Sequence, residues 1–532
     1  MRRGSALAAL GILAITALSF FVFPGHTYLE QDTQIYVPIL ENQWSGALAG
    51  DLIVEHPHVS FTLYDEMTNG VRWVTRLPLE WILEGEQFVF RAAGFLGIYL
   101  IALSFGLDSS ASILVTALWA LGATIKAPAV LTVEYEPSPR SFAVPLLVLA
   151  VGLALRNRFR WAGLATAGAV LLHAPTTWPF FAVAAVFAIP RKGSWSLLTY
   201  PLVALGVLVA IGLSQATAEH QSFLGTLAPA QEASQRMRAS YSYVSTWWGD
   251  WAWQYEFFAA VAIAALWRVR AAREQWIWLG GLVVAGLLSV PLSWLFLDRL
   301  HLSVIPQIQP ARALLFVTGT AVLMAAVAAL KASEKRRHVE AAAWFLFCLL
   351  VPVHAVFFEW PGWRVGCVAA VAASALATIA RPREPRWRFA AALLLAPLVA
   401  YCAGVVLHGQ LGTPDLRNLA AWARVKGRGV YLFPEAGRDR SPGWFRASAV
   451  QPVYVDWKGG GQVNYLRGFS EQWAGRWNRV NILAASGASP KSYGDLPVDY
   501  LVYSHPLQTS LPLEFHNESW WVYHLSAHVS SR

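Results

Sequence analysis

The chain has 532 residues, of which 56% are hydrophobic and 14% charged. That balance excludes an ordinary soluble domain, and apolar runs of spanning length recur through the first 407 residues, so the sequence predicts a polytopic α-helical membrane protein. The net charge of +9 is no nucleic-acid signature, because much of the excess lies in short loops assigned to the cytoplasm; no nucleic-acid partner is expected.

Met1-Arg2-Arg3 precedes an apolar run from about Ser5 to Phe23. No small-residue cleavage site follows it and further spans do, so it reads as a first span with the N-terminus inside. Residues 24–87 form a long outer loop with interfacial helices. In its opening stretch, Thr27-Tyr28-Leu29-Glu30-Gln31-Asp32, the Thr27/Glu30 spacing predicts a capping box and a helix from Tyr28. On that helix Asp32 shares the apolar face with Tyr28, Leu29, Ile35 and Tyr36, where a carboxylate costs several kcal/mol unless it has a partner or a task. Glu30 points away, with closing the cap as its simplest role.

Spans follow at roughly 88–106 and 110–128, then an outer loop from Lys126 to Pro139, and a span opened by Pro139-Arg140 behind the cap Ser138. Arg156-Asn157-Arg158-Phe159-Arg160 marks the cytoplasmic side. Residues 161–190 read as a hairpin of two short helices whose turn, His173-Ala174-Pro175-Thr176-Thr177, points outward. Further spans fall at about 196–214, 255–269, 276–297, 311–330, 341–358, 364–380 and 389–407, giving about thirteen and an outside C-terminus. Tryptophans cluster where spans meet water (Trp44, Trp178, Trp247, Trp248, Trp276, Trp360, Trp363, Trp387). Cys348, Cys367 and Cys402 lie inside apolar segments and read as packing residues. Residues 408–532 change character to a small α/β domain, with helices from Thr413-Pro414 and over Ser470–Val480 and strands at Gly429–Phe433, Val453–Trp457, Val498–Tyr503 and Trp520–His524. Gly459-Gly460-Gly461 lacks the Lys-Ser/Thr of a phosphate loop and reads as a turn.

Three further places carry chemistry. In Val133-Glu134-Tyr135-Glu136-Pro137-Ser138-Pro139-Arg140 the prolines favour extended backbone and put Glu134 and Glu136 on one side. Such a pair suits a divalent cation (Mg or Mn), an acid/base dyad, or ion pairing with Arg140. His173 sits at the hairpin turn, where a capping or core role explains it as well as a ligand role does. Gln307, Gln309 and Arg312 stand at the outer start of a span, a good place for a phosphate, although snorkelling explains a terminal arginine equally. Thr246-Trp247-Trp248-Gly249-Asp250-Trp251 resembles the Trp-Trp-Asp-Tyr-Gly motif of oligosaccharyltransferases but has an inserted glycine and reads as an interfacial cluster.

With its many spans, the acidic Asp32 just after span one, the acidic pair Glu134/Glu136 in the second outer loop and an outer C-terminal domain, the chain resembles the GT-C class of membrane glycosyltransferases. The resemblance covers roughly residues 1–330, while the tail, with Tyr454-Val455-Asp456-Trp457-Lys458, is similar to that of uncharacterised bacterial multi-pass proteins. It implies a polyprenyl-(pyro)phosphate sugar donor, membrane lipids as partners, a bacterial inner membrane and a periplasmic or extracellular C-terminal domain. Asp32 would then act as general base on an acceptor hydroxyl, or orient it by a hydrogen bond, with Arg140, Arg312, Gln309, His173 and Glu30 on the substrate side. A metal at Glu134/Glu136 is an option and no cofactor is required. The rival expectations are a transporter or flippase for an anionic or lipid-linked substrate, and a non-catalytic assembly protein of the same fold.

Overall fold

A computed structural model of the chain describes residues 2–56, 62–214, 225–350 and 411–525. The expected spans at 364–380 and 389–407, with Cys367, Cys402, Trp360, Trp363 and Trp387, lie outside the described residues.

Among the described residues four helices are long and apolar enough to cross a membrane: Leu79–Ser104, Ser196–Ser214, Arg273–Arg299 and Ile305–Glu334. Shorter apolar helices accompany them at Ala6–Phe21, Ser109–Ala120, Pro139–Leu155, Trp178–Ala188 and His338–Leu349. The chain is a multi-pass helical membrane protein. The continuous part of Ile305–Glu334, Leu314–Glu334, is the core helix, buried along almost its whole length. Leu79–Ser104 and Pro139–Leu155 cross backbone to backbone, because a Cβ on Gly97 would stand 2.5 Å from the Leu149 nitrogen and one on Gly152 would stand 2.6 Å from the Gly97 carbonyl. Small residues permit this approach, and it is a main source of helix association where no water is displaced.

The expected second span starts too late. Its helix runs from Leu79, behind Pro78, so the first loop ends nine residues earlier than residue 87. Glu80, Glu84 and Glu86 interrupt the apolar run and hid the first turns. The third span ends at Ala120, and the two-stranded pair Thr124–Ile125 and Val130–Leu131 replaces its last turns. The hairpin is present as Phe159–His173 and Trp178–Ala188, with a short 3-10 turn at Ala174–Thr176 between them.

Residues 411–525 build a mixed four-stranded sheet in the order Tyr431–Leu432, Tyr500–Tyr503, Trp521–His524, Leu513–His516. The first pair is parallel, with Tyr431 opposite Tyr500, and the others are antiparallel. A parallel neighbour needs a long crossover, here supplied by helices Ser441–Ala449 and Arg467–Ala485. Thr413 caps the helix Pro414–Lys426 by accepting from Leu416 N. The strand expected over Val453–Trp457 is reduced to one bridge, Val453 to Tyr431, because those residues turn away to reach the helical bundle. The three glycines at 459–461 open a 3-10 helix, Gly459–Asn464, and Gly460 sits where a Cβ would strike the Trp473 ring.

Candidate functional site

The helix expected from Tyr28 begins instead at Thr33, with Asp32 at its N-cap position. The local reading failed because a distant residue supplies the acceptors. Glu136 accepts from the backbone N–H groups of Glu30 (2.8 Å), Gln31 (2.5 Å) and Thr33 (3.1 Å), and from the Thr27 hydroxyl (3.5 Å). Leu29 takes a left-handed conformation, φ 62°, and its N–H donates to Thr33 Oγ1 at 2.9 Å. The stretch before Thr33 is therefore a tight turn wrapped on Glu136, and it turns the Asp32 carboxylate into a cavity. Glu30 is turned the other way. It does not line that cavity, and its carboxylate accepts from Leu411 N at 2.9 Å, which corrects the capping expectation for it.

The cavity measures about 360 Å³ and lies between the bundle and residues 411–525. Asp32, Glu134, Glu136, Arg140, His173, Gln309 and Arg312 all line it, although they come from four separate segments of the sequence. Arg238, Tyr241, Lys458 and Tyr465 line it too, and the sequence reading gave them no role.

Asp32 is the hub. Its Oδ1 accepts from Lys458 Nζ at 2.7 Å, and its Oδ2 stands 3.7 Å from the Arg140 guanidinium. About 40% of its side chain remains accessible, facing the cavity. Burial favours its neutral form, but Lys458, Arg140 and Arg312 outweigh that and hold the carboxyl well below the usual carboxylate range. Arg140, the second residue of its helix, is fixed by Glu134, whose Oε1 accepts from Arg140 Nε at 2.7 Å. Arg91, buried in its own helix, braces the same corner by donating to the carbonyls of Ser19 (2.7 Å), Gly25 (3.1 Å) and Glu134 (2.8 Å).

Across the cavity Gln309 takes a left-handed conformation (φ 49°), which breaks the helix before Pro310 and turns Arg312 toward Tyr241, with its guanidinium 5.5 Å from the ring centre. Gln309 Oε1 and Arg312 Nε are buried and have no hydrogen-bond partner among the described residues. His173 Nδ1 pairs with the Thr176 hydroxyl at 2.7 Å, which fixes the imidazole at the hairpin turn.

The two loop carboxylates do share the cavity, yet each is committed to protein donors. Glu134 serves Arg140 and Leu131 N (3.3 Å), and Glu136 serves the turn before Thr33. Among the described residues no group of three or more His, Cys, Asp or Glu side chains is placed to hold a metal ion. Both carboxylates of the pair are thus engaged by protein donors. Glu136 has a different property: burial and the Asp32 charge raise its carboxyl to about 7, against the opposing pull of Lys458 and of its backbone donors.

Trp247 is buried, with its ring edge-on to that of Trp248 at a centroid distance of 6.0 Å. Trp247 Nε1 donates to the Tyr241 carbonyl at 3.1 Å, and the helix Trp248–Arg268 starts beside it.

No protein-family model matches the sequence, and no curated protein matches it. Among solved structures the chain is similar to apo ArnT from Cupriavidus metallidurans, at 13% identity and a TM-score of 0.45, over 98% of this chain and 97% of that one. It is also similar to the arabinofuranosyltransferase AftD from Mycobacteria, at 13% identity and a TM-score of 0.49, over 99% of this chain and 40% of that one. The oligosaccharyltransferase of Archaeoglobus fulgidus, in its apo form, is similar at 13% identity and a TM-score of 0.42, over 94% of this chain and 69% of that one.

Proposed function

We propose that this chain is a membrane glycosyltransferase that moves a sugar from a polyprenyl-(pyro)phosphate donor to an acceptor on the outer face of the membrane. The observation that carries the reading is the convergence of Asp32, Arg140 and Arg312 on one cavity. A base and two guanidinium groups lining one cavity suit the transfer of a group from a phosphate leaving group. A void of only about 10 Å³ adjoins this cavity, sharing Val130, Arg140, His173, Gln309 and Arg312 with it.

In this reading the sugar C1–O bond to the lipid phosphate breaks and a bond from C1 to the acceptor oxygen forms. The hydroxyl proton passes to Asp32, and the electron pair of the broken bond leaves with the phosphate, whose growing charge Arg140 and Arg312 stabilise. Glu134 and Glu136 act on this site by positioning, the first aiming Arg140 and the second shaping the Asp32 turn.

Complementation tests it. In a deletion strain with a surface-glycan defect, Asp32→Asn at native expression level should fail to restore the glycan, since a positioned proton acceptor is worth about 10²–10⁴-fold in rate. Full complementation by Asp32→Asn would remove the transferase reading and leave a carrier of the lipid-linked substrate in its place.

A further inference from the structure

Lys458 is the charged residue that the C-terminal α/β segment contributes to the cavity, beside Gly461, Gln462 and Tyr465, and its backbone is held from both sides. On one side Arg446, fully enclosed, binds Asp51 of the first loop at 2.6 Å and Asp456. Asp456 in turn accepts from Gly459 N at 3.0 Å, immediately after Lys458. On the other side Arg238 donates to the carbonyls of Trp457 (2.7 Å) and Lys458 (3.4 Å), and its guanidinium stacks on the Trp457 ring at 4.9 Å. Two segments far apart in sequence therefore fix where the Lys458 side chain starts, and its four-carbon stem carries the ammonium to Asp32.

Arg140 and Lys458 bind Asp32 differently. The Arg140 fork is already committed to Glu134 at 2.7 Å and meets Asp32 only at 3.7 Å. Lys458 makes the short contact, on a flexible stem whose compact charge swings easily to a new acceptor. The cavity lining is also cation-rich, with Arg140, Arg238, Arg312 and Lys458 against Asp32, Glu134 and Glu136. Glu136, raised to about 7, carries only part of a negative charge near neutrality, so at least one positive charge is left to be met by an anion. A carboxylate held by two cations is a weak base, since their charge favours its ionised form, so Asp32 as it stands is poorly set to take a proton.

We propose that Lys458 is an exchangeable phosphate ligand: a lipid phosphate entering the cavity takes the Lys458 ammonium away from Asp32, and the carboxylate so released becomes the base. The C-terminal segment thereby supplies part of the site and couples donor binding to the readiness of Asp32. The proposal rests on the reading of the cavity as a lipid-phosphate site and adds the ligand and the order of events. No bond is made or broken in the exchange; one ammonium changes its anionic partner.

The test measures binding to the purified full chain in nanodiscs, with geranylgeranyl phosphate as probe and geranylgeraniol and inorganic phosphate as controls. Wild type should prefer the prenyl phosphate over the alcohol. Lys458→Met should lower the affinity for the prenyl phosphate about tenfold or more and leave that for the alcohol unchanged, because a charge-assisted contact is lost. Lys458→Arg should stay within about threefold. Asp32→Asn should bind the prenyl phosphate more tightly than wild type, and that gain should shrink in the Asp32→Asn/Lys458→Met double variant, because the freed ammonium is gone. Should Lys458→Met unfold, the sign of the Asp32→Asn effect decides: weaker or unchanged binding overturns the exchange. If wild type selects the phosphate and Lys458→Met binds it equally well, the exchange is overturned while the lipid-phosphate reading stands. If wild type does not distinguish phosphate from alcohol, both fall. Inorganic phosphate binding as tightly as the prenyl phosphate would overturn the lipid as its source.

Discussion

Replacing Arg446 by Met probes whether the C-terminal segment is anchored by the Asp51–Arg446–Asp456 triad. Arg446 is 1% exposed, Asp51 0% and Asp456 3%, so water screens none of the three. Asp51 also caps the short helix Leu52–Glu55 through Ile53 N at 3.0 Å and accepts from Val453 N at 2.9 Å. Removing the guanidinium leaves two buried carboxylates, a loss of about 3–5 kcal/mol in such arrangements. The backbone donors at Ile53, Val453 and Gly459 still serve those carboxylates, which argues for the lower end, about 3 kcal/mol. At 1.4 kcal/mol per factor of ten, the population of chains with this segment lifted should rise about a hundredfold. Limited proteolysis within residues 411–525 reads that population when opening and closing are faster than cleavage. The cleavage rate of Arg446→Met should therefore rise about a hundredfold. Arg446→Lys should fall between, because one ammonium cannot reproduce a fork that reaches two carboxylates. A rate within threefold of wild type for Arg446→Met would refute the reasoning and reduce the triad to a passive contact.

Arg140→Ala and Arg312→Ala should each weaken binding of a polyprenyl phosphate by roughly ten- to a hundredfold, and Arg→Lys should recover only part of it; unchanged affinity in both alanine variants would make them snorkelling anchors. Glu136, raised to about 7, contributes stability that is present below the ordinary carboxylate range and lost as the pH climbs through 7. Melting curves between pH 5 and 8 should show wild type losing stability relative to Glu136→Gln across that window, by on the order of 2 kcal/mol, and a gap that does not change with pH would count against the assignment. Asp65, also raised to about 7, is common to both proteins and cancels. Gly97→Val should separate the helices Leu79–Ser104 and Pro139–Leu155 and lower the thermal midpoint in detergent, since the Leu149 backbone has no room to give; a midpoint equal to wild type would contradict the close crossing.

How much of this was legible in the sequence depends on the range of each interaction. Spans announce themselves by composition, and so did the hairpin, because two short apolar pieces around a proline-rich turn leave few alternatives. Asp32, Arg140 and Arg312 were found as charges in places where charge is costly. The capping box was misread for a physical reason: Thr27 and Glu30 have the right spacing, but Glu136 offers a carboxylate to the same N–H groups from over a hundred residues away. Lys458 was out of reach for the same reason. It lies 426 residues from its partner Asp32, and no periodicity or spacing links the two. The clue that was present is the position of a lone lysine after Tyr454-Val455-Asp456-Trp457, an aromatic and acidic tract too apolar for a free surface turn. Gln309 shows the reverse case, a residue whose backbone break was hidden although its side chain was singled out.

A structure of the chain in nanodiscs with a polyprenyl-phosphate analogue bound tests the central claim most directly. The account predicts the phosphate in the cavity within hydrogen-bonding reach of Arg140 and Arg312, and the Asp32 carboxylate facing the group attached to the phosphate. A phosphate seated anywhere else, with Asp32, Arg140 and Arg312 arranged as they are without it, would contradict the claim.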